Sequence, residues 1–282
     1  MIPAARHLVG ELEASPFARL LGLVVEETMR DVATASVPWR PLLANAQGFV
    51  HGGVAASLVM WTSALVAVAS DHGAAVTARP VSVSISYVSA ARGEGLSATA
   101  RVLSRGRDLV HVAVEVASDA GRLVATALAV LKTETAALPR SVGSRAPVPP
   151  PGAEAAAPRP LVSPFSKALG IEVLSHGPMD ARLGMRRAGN EGTDGVVDAG
   201  ALLSLADTCA ALACLPSLDE RLSGSATLSM SAVFGDPLRF AVVADGRAVA
   251  GRGGVRSALI DVGAGALTAC ISYRFLAAES PA

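Results

Sequence analysis

Two short stretches hold reactive side chains in places where they could do chemistry. Residues 45–60 read NAQGFVHGGVAASLVM and set His51 between a polar, glycine-rich approach and an apolar run that opens with Gly52 and Gly53. Far along the chain, residues 202–212 read LLSLADTCAAL and set one carboxylate, Asp207, in an otherwise apolar run. A single histidine at a helix start is more often a cap than a catalyst. A buried aspartate is different, because holding it ionised and unpaired costs several kcal/mol and the local sequence offers no partner. A carboxylate kept in such a place is suited to take a proton or to attack an electrophilic carbon. Ser57, Ser63 and Ser204 share these apolar runs, but no GxSxG turn surrounds them, so they read as small packing residues. His7, His72, His111 and His176 lack companions and read as loop or sheet residues.

Composition narrows the function classes. The chain has 282 residues, 51% hydrophobic and 4% aromatic, enough for two domains with real cores. Lys plus Arg (24) balance Asp plus Glu (24), so there is no broad positive field of the kind nucleic acid or an anionic membrane surface requires. Cys209, Cys214 and Cys270 are odd in number and lack metal-binding spacing, which argues against a disulfide framework or a metal site and for a reducing cytoplasm. Charged residues interrupt the first short apolar segments, so no export signal is read. Residues 52–70 carry no charge over a length that spans a bilayer. Their Ala, Ser, Thr, Gly and Val content, without flanking Lys or Arg anchors, instead suits a helix buried on all sides.

The elements that must position these residues come in two copies. SPFARLLGL (15–23) returns as SPFSKALGI (163–171), GFVHGG (48–53) as GVVDAG (195–200), GRDLV (106–110) as GRGGV (251–255), and GRLVATA (121–127) as GALTACI (265–271). The landmarks keep their order, so the chain is a tandem duplication. Between the copies, residues 139–160 hold 7 of the 17 prolines, a composition that resists helix and sheet and marks a linker. The expected domains are 1–138 and 161–282.

Within each copy, a Ser-Pro pair caps a short helix that a glycine ends (Ser15, Pro16, Gly22; Ser163, Pro164, Gly170). One strand is expected next, then a long helix over 53–70 or 200–215 without internal proline. Four strands follow, the first of them VSVSISYV (81–88), which alternates strictly. A helix with almost no polar face needs cover all round, and an antiparallel sheet curled around it supplies that cover.

An asparagine, then GxVHGG at the start of a buried helix, then an alternating strand resembles the hotdog fold of acyl-CoA thioesterases, specifically the phenylacetic-acid-pathway type. The resemblance covers nearly the whole chain and implies an α+β protein of two tandem hotdog domains paired as a pseudo-dimer. It also implies a site shared between them: an Asn six residues before the His, and the His-Gly pair, come from one hotdog, and an acidic residue nine positions after the His comes from the other. Copy one has Asn45, His51, Gly52 and Gly53 but Met60 at the acidic position; copy two has Gly192, Asp198 and Ala199 but Asp207 at that position. Each copy keeps what the other has lost, so the pair assembles one complete site. The resemblance implies a Ser or Thr seven residues before an aromatic on the next strand, which is Thr227 in copy two and Pro80 in copy one.

The implied roles are an oxyanion-binding N–H at Gly52, a base or nucleophile at Asp207, an amide at Asn45 to hold water or thioester, and loop support from His51. Gly53 belongs to the substrate-binding set. Arg105, Arg107 and Arg252, at glycine turns between strands, are candidates for the coenzyme A phosphates. The expected reaction is hydrolysis of acyl-CoA to acid and CoA without metal or redox cofactor, by a homodimer of double-hotdog chains. A non-catalytic acyl-CoA-binding protein is the alternative.

Overall fold

A computed structural model of the chain describes residues 3–71, 77–134, 159–160, 163–215, 225–239, 241–252 and 254–275. An N-terminal helix, α1 (Pro3–Ala14), precedes the repeat. Copy one then runs α2 (Pro16–Leu21), β1 (Val24–Thr28), β2 (Val32–Val37), a 3-10 turn at Pro41–Leu43, α3 (Gly52–Ala69), β3 (Thr77–Tyr87), β4 (Leu96–Arg105), β5 (Leu109–Ser118) and β6 (Leu123–Glu134). Copy two repeats this order after β7 (Arg159–Pro160): α4 (Pro164–Ala168), β8 (Ile171–His176), β9 (Asp180–Met185), α5 (Ala199–Ala213), β10 (Ala226–Phe234), β11 (Val242–Arg252), β12 (Val255–Val262) and β13 (Leu267–Arg274).

One strand was expected before each long helix, and the structure has an antiparallel hairpin of two. The missed strand, VATASV, buries only Ala33, Ala35 and Val37. Its outward positions are Val32, Thr34 and Ser36, so the hydrophobic contrast along it is too shallow to read as an alternation. His7 corrects a second expectation, because it lies on α1 and faces Glu11 at 3.6 Å, one helical turn on. His111 lies in β5, and His176 of β8 bonds to the Leu212 carbonyl at 3.0 Å through Nε2. His72 lies outside the described residues, as does the linker up to residue 158. Arg159 and Pro160, at the linker's end, pair with β8.

The described strands form one antiparallel sheet in the order β1-β2-β4-β5-β6-β3-β10-β13-β12-β11-β9-β8-β7. Its two halves meet where β3 pairs with β10, from Ser86 opposite Ser229 to Ser82 opposite Val233. Each half curls around its own helix. Of α3, all but Gly52 and Ala64 are buried, so a helix long and apolar enough to cross a membrane serves as a core.

The recurring Ser-Pro-Phe has a role the sequence does not reveal. Ser15 Oγ accepts from the Ala18 N–H and donates to the Glu191 carbonyl of copy two, where the Phe17 N–H also bonds. Ser163 does the same with Ser166 and with the Ala44 carbonyl of copy one, joined by the Phe165 N–H. Each copy's opening helix therefore pins the loop that precedes the other copy's long helix.

The two long helices run side by side and cross at glycines. A β-carbon on Gly53 would lie 2.9 Å from the Ser204 Cα, and one on Gly200 would lie 2.8 Å from the Ser57 Cα. Both distances are too short for any side chain, so the glycines set the separation of α3 and α5. Gly200→Ala is expected to lower stability by about 1–3 kcal/mol, because backbone rather than a movable side chain blocks the added methyl. Thermal denaturation should show this as a clear drop in Tm, and an unchanged Tm would mean that the helices can separate freely.

Candidate active site

The loop that leads into α3 is tied by the Asn45 side chain, whose Oδ1 accepts from the N–H groups of Gln47 (2.9 Å) and Phe49 (3.1 Å). Gly48 completes the turn at φ +81°, a conformation that favours glycine. His51 then caps the helix: its Nδ1 accepts from the Gly53 N–H at 3.0 Å. This leaves the Gly52 N–H, in the first turn, with no acceptor among the described residues, which is the usual state of a helix N-terminus. A β-carbon on Gly52 would lie 2.9 Å from Asp207 Oδ2, so only glycine allows the aspartate to face this turn.

Asp207 projects from α5 and is 2% exposed. Its Oδ1 accepts from Thr227 Oγ1 at 2.9 Å and, in a short hydrogen bond, from the Tyr273 hydroxyl, which also lies 2.7 Å from the Asp207 carbonyl. Thr227 and Tyr273 stand opposite each other on β10 and β13. Oδ2 faces His51 Nδ1 at 3.4 Å.

That last contact is not an ion pair. Thr208 donates its one hydroxyl proton to the Ser204 carbonyl (2.9 Å), so its oxygen can only accept from His51 Nε2–H (3.4 Å). The imidazole is therefore neutral, with its Nδ1 lone pair turned to Gly53. Burial against Phe165 (ring centroids 4.9 Å apart) holds the imidazole below its usual pKa, outweighing the attraction of Asp207. Burial, reinforced by the Asp207 charge, pushes the phenols of Tyr87 and Tyr273 well above their usual range, so both remain donors. Tyr87 donates to the Gly52 carbonyl at 3.2 Å.

Asn45, His51, Gly52, Tyr87, Thr227 and Arg274 line one cavity of about 370 Å³. Its counterpart of about 300 Å³ lies at the start of α5. There Asp198 caps the helix through Oδ1 on the Gly200 N–H (2.7 Å), and its Oδ2 accepts from Trp61 Nε1 (3.0 Å). Met60, Pro80 and Leu131 line this second cavity, with Pro80 opposite Leu131 in the sheet. Burial raises the Asp198 pKa, although the Trp61 hydrogen bond opposes it.

The structure thus brings together Asn45, His51, Gly52, Asp207 and Thr227. Four other predicted residues stand elsewhere. Gly53 spends its N–H on His51 and its open face on Ser204, so it spaces the helices and does not line the cavity. Arg105 closes the far end of α3, with bonds to the Ala67 carbonyl, Ser70 Oγ and Asp71. At 1.5 Å per residue this is more than about 20 Å from Gly52. Arg107, in an exposed turn, and Arg252, the exposed last residue of β11, are both outside the cavity lining. A glycine-flanked arginine marks a strand turn, and either end of the barrel has such turns. Arg274 is the cation that does line the cavity.

Tyr87, Tyr273 and Thr208 were missed as site residues. Rarity was the available signal: the chain has only two tyrosines, and both meet here.

Comparison with known proteins agrees with this architecture. Residues 40–132 match the model of the acyl-CoA thioesterase N-terminal domain. The chain superposes over 95% of its length, and 98% of theirs, on a tesB protein from Mycobacterium avium subs paratuberculosis (TM-score 0.60, 14% identity) and on a hot dog fold protein of unknown function from Alicyclobacillus acidocaldarius (TM-score 0.62, 18% identity). The fold is a tandem hotdog. A proposed thioesterase from Novosphingobium aromaticivorans is similar over 90% of this chain and 98% of its own (TM-score 0.61, 22% identity). No curated protein sequence matches the chain.

Because the folded state resists protonating His51, the unfolded chain takes up a proton first as pH falls through 6.5. Stability from this residue is complete above that pH and is lost below it. Urea denaturation is expected to show lower stability at about pH 5.5 than at about 7.5, with a shallower dependence in His51→Gln. An identical slope in the two proteins would contradict a buried neutral imidazole.

Proposed function

We propose that this chain is an acyl-CoA thioesterase, of the phenylacetic-acid-pathway type by its Asn45, His51 and Gly52 spacing, that hydrolyses an acyl-CoA to free acid and CoA. The observation that supports this best is Asp207, a buried carboxylate on α5 whose Oδ2 lies over Gly52 at the start of α3, where the Gly52 N–H has no acceptor among the described residues. The thioester oxygen takes that N–H, which the helix dipole reinforces, as negative charge develops on it. Asp207 either accepts a proton from an attacking water or attacks the carbonyl itself. In both routes the tetrahedral intermediate collapses by breaking the C–S bond, and the CoA thiolate is then protonated; attack by Asp207 leaves a mixed anhydride, which water hydrolyses to free acid and the restored carboxylate. A single turnover in ¹⁸O-water separates them, since attack of water on the thioester puts the label in the product, whereas hydrolysis of the anhydride at the Asp207 carbon puts it in Asp207.

With Asn45 Oδ1 held by its own loop, the NH₂ group is the part of that amide left to orient water or thioester. Arg274, exposed at the end of β13 on the cavity lining, is the cation we assign to the CoA phosphates. A homodimer in the cytoplasm belongs to the same proposal. Leu128, Val233 and Leu259, which are 58%, 59% and 53% exposed on the sheet's outer face, are the apolar surface a second chain would cover. The second cavity favours the alternative of a protein that binds ligand without turning it over, since it has room but carries Met60 where the first has Asp207.

Assay of thiol release across a panel of acyl-CoAs decides between the two readings. Asp207→Asn is expected to lower turnover by about a thousandfold or more while the fold persists. The amide oxygen still accepts from Thr227 and Tyr273. Activity within a few-fold of wild type would remove Asp207 from the reaction. A non-hydrolysable acyl-CoA analogue is expected to titrate to one tight site per chain; two equal sites would contradict the composite arrangement.

A further inference from the structure

The two oxygens of the Asp207 carboxylate are in different situations. Oδ1 accepts two hydrogen bonds, from Thr227 and from Tyr273, which fill both of its lone pairs. Oδ2 has no donor among the described residues. At 3.4 Å it faces His51 Nδ1, whose lone pair is already engaged by Gly53. Oδ2 also is the oxygen that overlies Gly52.

The duplication provides an internal control. The counterparts of Asp207, Thr227 and Tyr273 are Met60, Pro80 and Leu131. In each copy the last two stand opposite each other beside a register shift, at Thr227/Ser229 in one and Pro80/Ser82 in the other. The backbone at this place is therefore the same in both copies. Where the carboxylate is absent, so are the threonine and the tyrosine, and all three positions are apolar. A tyrosine needed only to fill the core would have no reason to track the aspartate.

We infer that Tyr273 is a positioning residue for Asp207: together with Thr227 it occupies Oδ1 and leaves Oδ2 as the working oxygen. This rests on the thioesterase reading above for its effect on rate, though not for its effect on the carboxylate. Two donors on one oxygen stop rotation of the carboxylate about its Cβ–Cγ bond, so Oδ2 stays aimed at the first turn of α3.

The test is Tyr273→Phe, which keeps the ring and removes the donor, followed by kcat, KM, the pH–rate profile and the ¹³C titration of the Asp207 carboxyl. The expected result is a fall in kcat of about ten- to a hundredfold, the size of one hydrogen bond to a charged group, with KM within about twofold. The acid limb and the carboxyl titration both move to higher pH, since removing the donor disfavours the carboxylate. A purely structural tyrosine would move neither. If Tyr273→Phe does not fold, Thr227→Val removes the other donor from the same oxygen and must shift the titration in the same direction. A titration and acid limb unmoved by loss of either donor overturn the inference. A wild-type protein that releases no thiol from any acyl-CoA, yet whose carboxyl titration moves in Tyr273→Phe, overturns the thioesterase reading alone.

Discussion

Gly53 against Ser204 and Gly200 against Ser57 bring α3 and α5 into backbone contact, and the site exists because of that closeness. With any side chain at these crossings the helices would separate by the thickness of a methyl group or more. Asp207 would then no longer reach the first turn of α3, and Thr208 would no longer meet His51. Ser57 and Ser204 suit these crossings because their hydroxyls turn back onto the Gly53 and Gly200 carbonyls one turn earlier, each at 2.7 Å, and need nothing from the opposite helix. Polar atoms are satisfied within their own helix, and the surface presented to the other is small.

Within that frame, His51 and Asp198 perform the same structural task with opposite chemical results. Each caps a long helix by accepting from the glycine two residues on. A neutral imidazole does this without placing a charge beside Gly52. The Asp198 carboxylate puts acidic oxygens at the equivalent place, and Trp61 takes up the one that the helix does not use. The second cavity is therefore a place where the fold kept its shape while its polar groups were spent on one another.

The crossed pinning by Ser15 and Ser163 extends the same dependence to the loops. The Ala44 carbonyl, directly before Asn45, is held by copy two, and the Glu191 carbonyl, before Gly192, is held by copy one. Each approach to a helix start is thus fixed from the other half of the molecule. Geometry at one cavity depends on contacts that neither copy makes alone.

Much of this was legible in the sequence. The duplication, the long apolar helices and the complementary loss of Asp207's and His51's counterparts need only the order and type of residues, because periodicity and repeat spacing survive without coordinates. The split site followed from the same comparison: Met60 cannot replace a carboxylate, whatever the fold. What tertiary structure decided were relations between strands and directions of side chains. The first hairpin was hidden because Ala, Thr and Ser alternate with too little contrast. Tyr273 lies 66 residues from Asp207, and only the packing of α5 against β13 makes them neighbours. The arginines at glycine turns were read by type alone, and type does not say at which end of a helix a turn will fall. Which carboxylate oxygen is occupied, and which is left open, is a matter of ångströms and angles, and only folding fixes those.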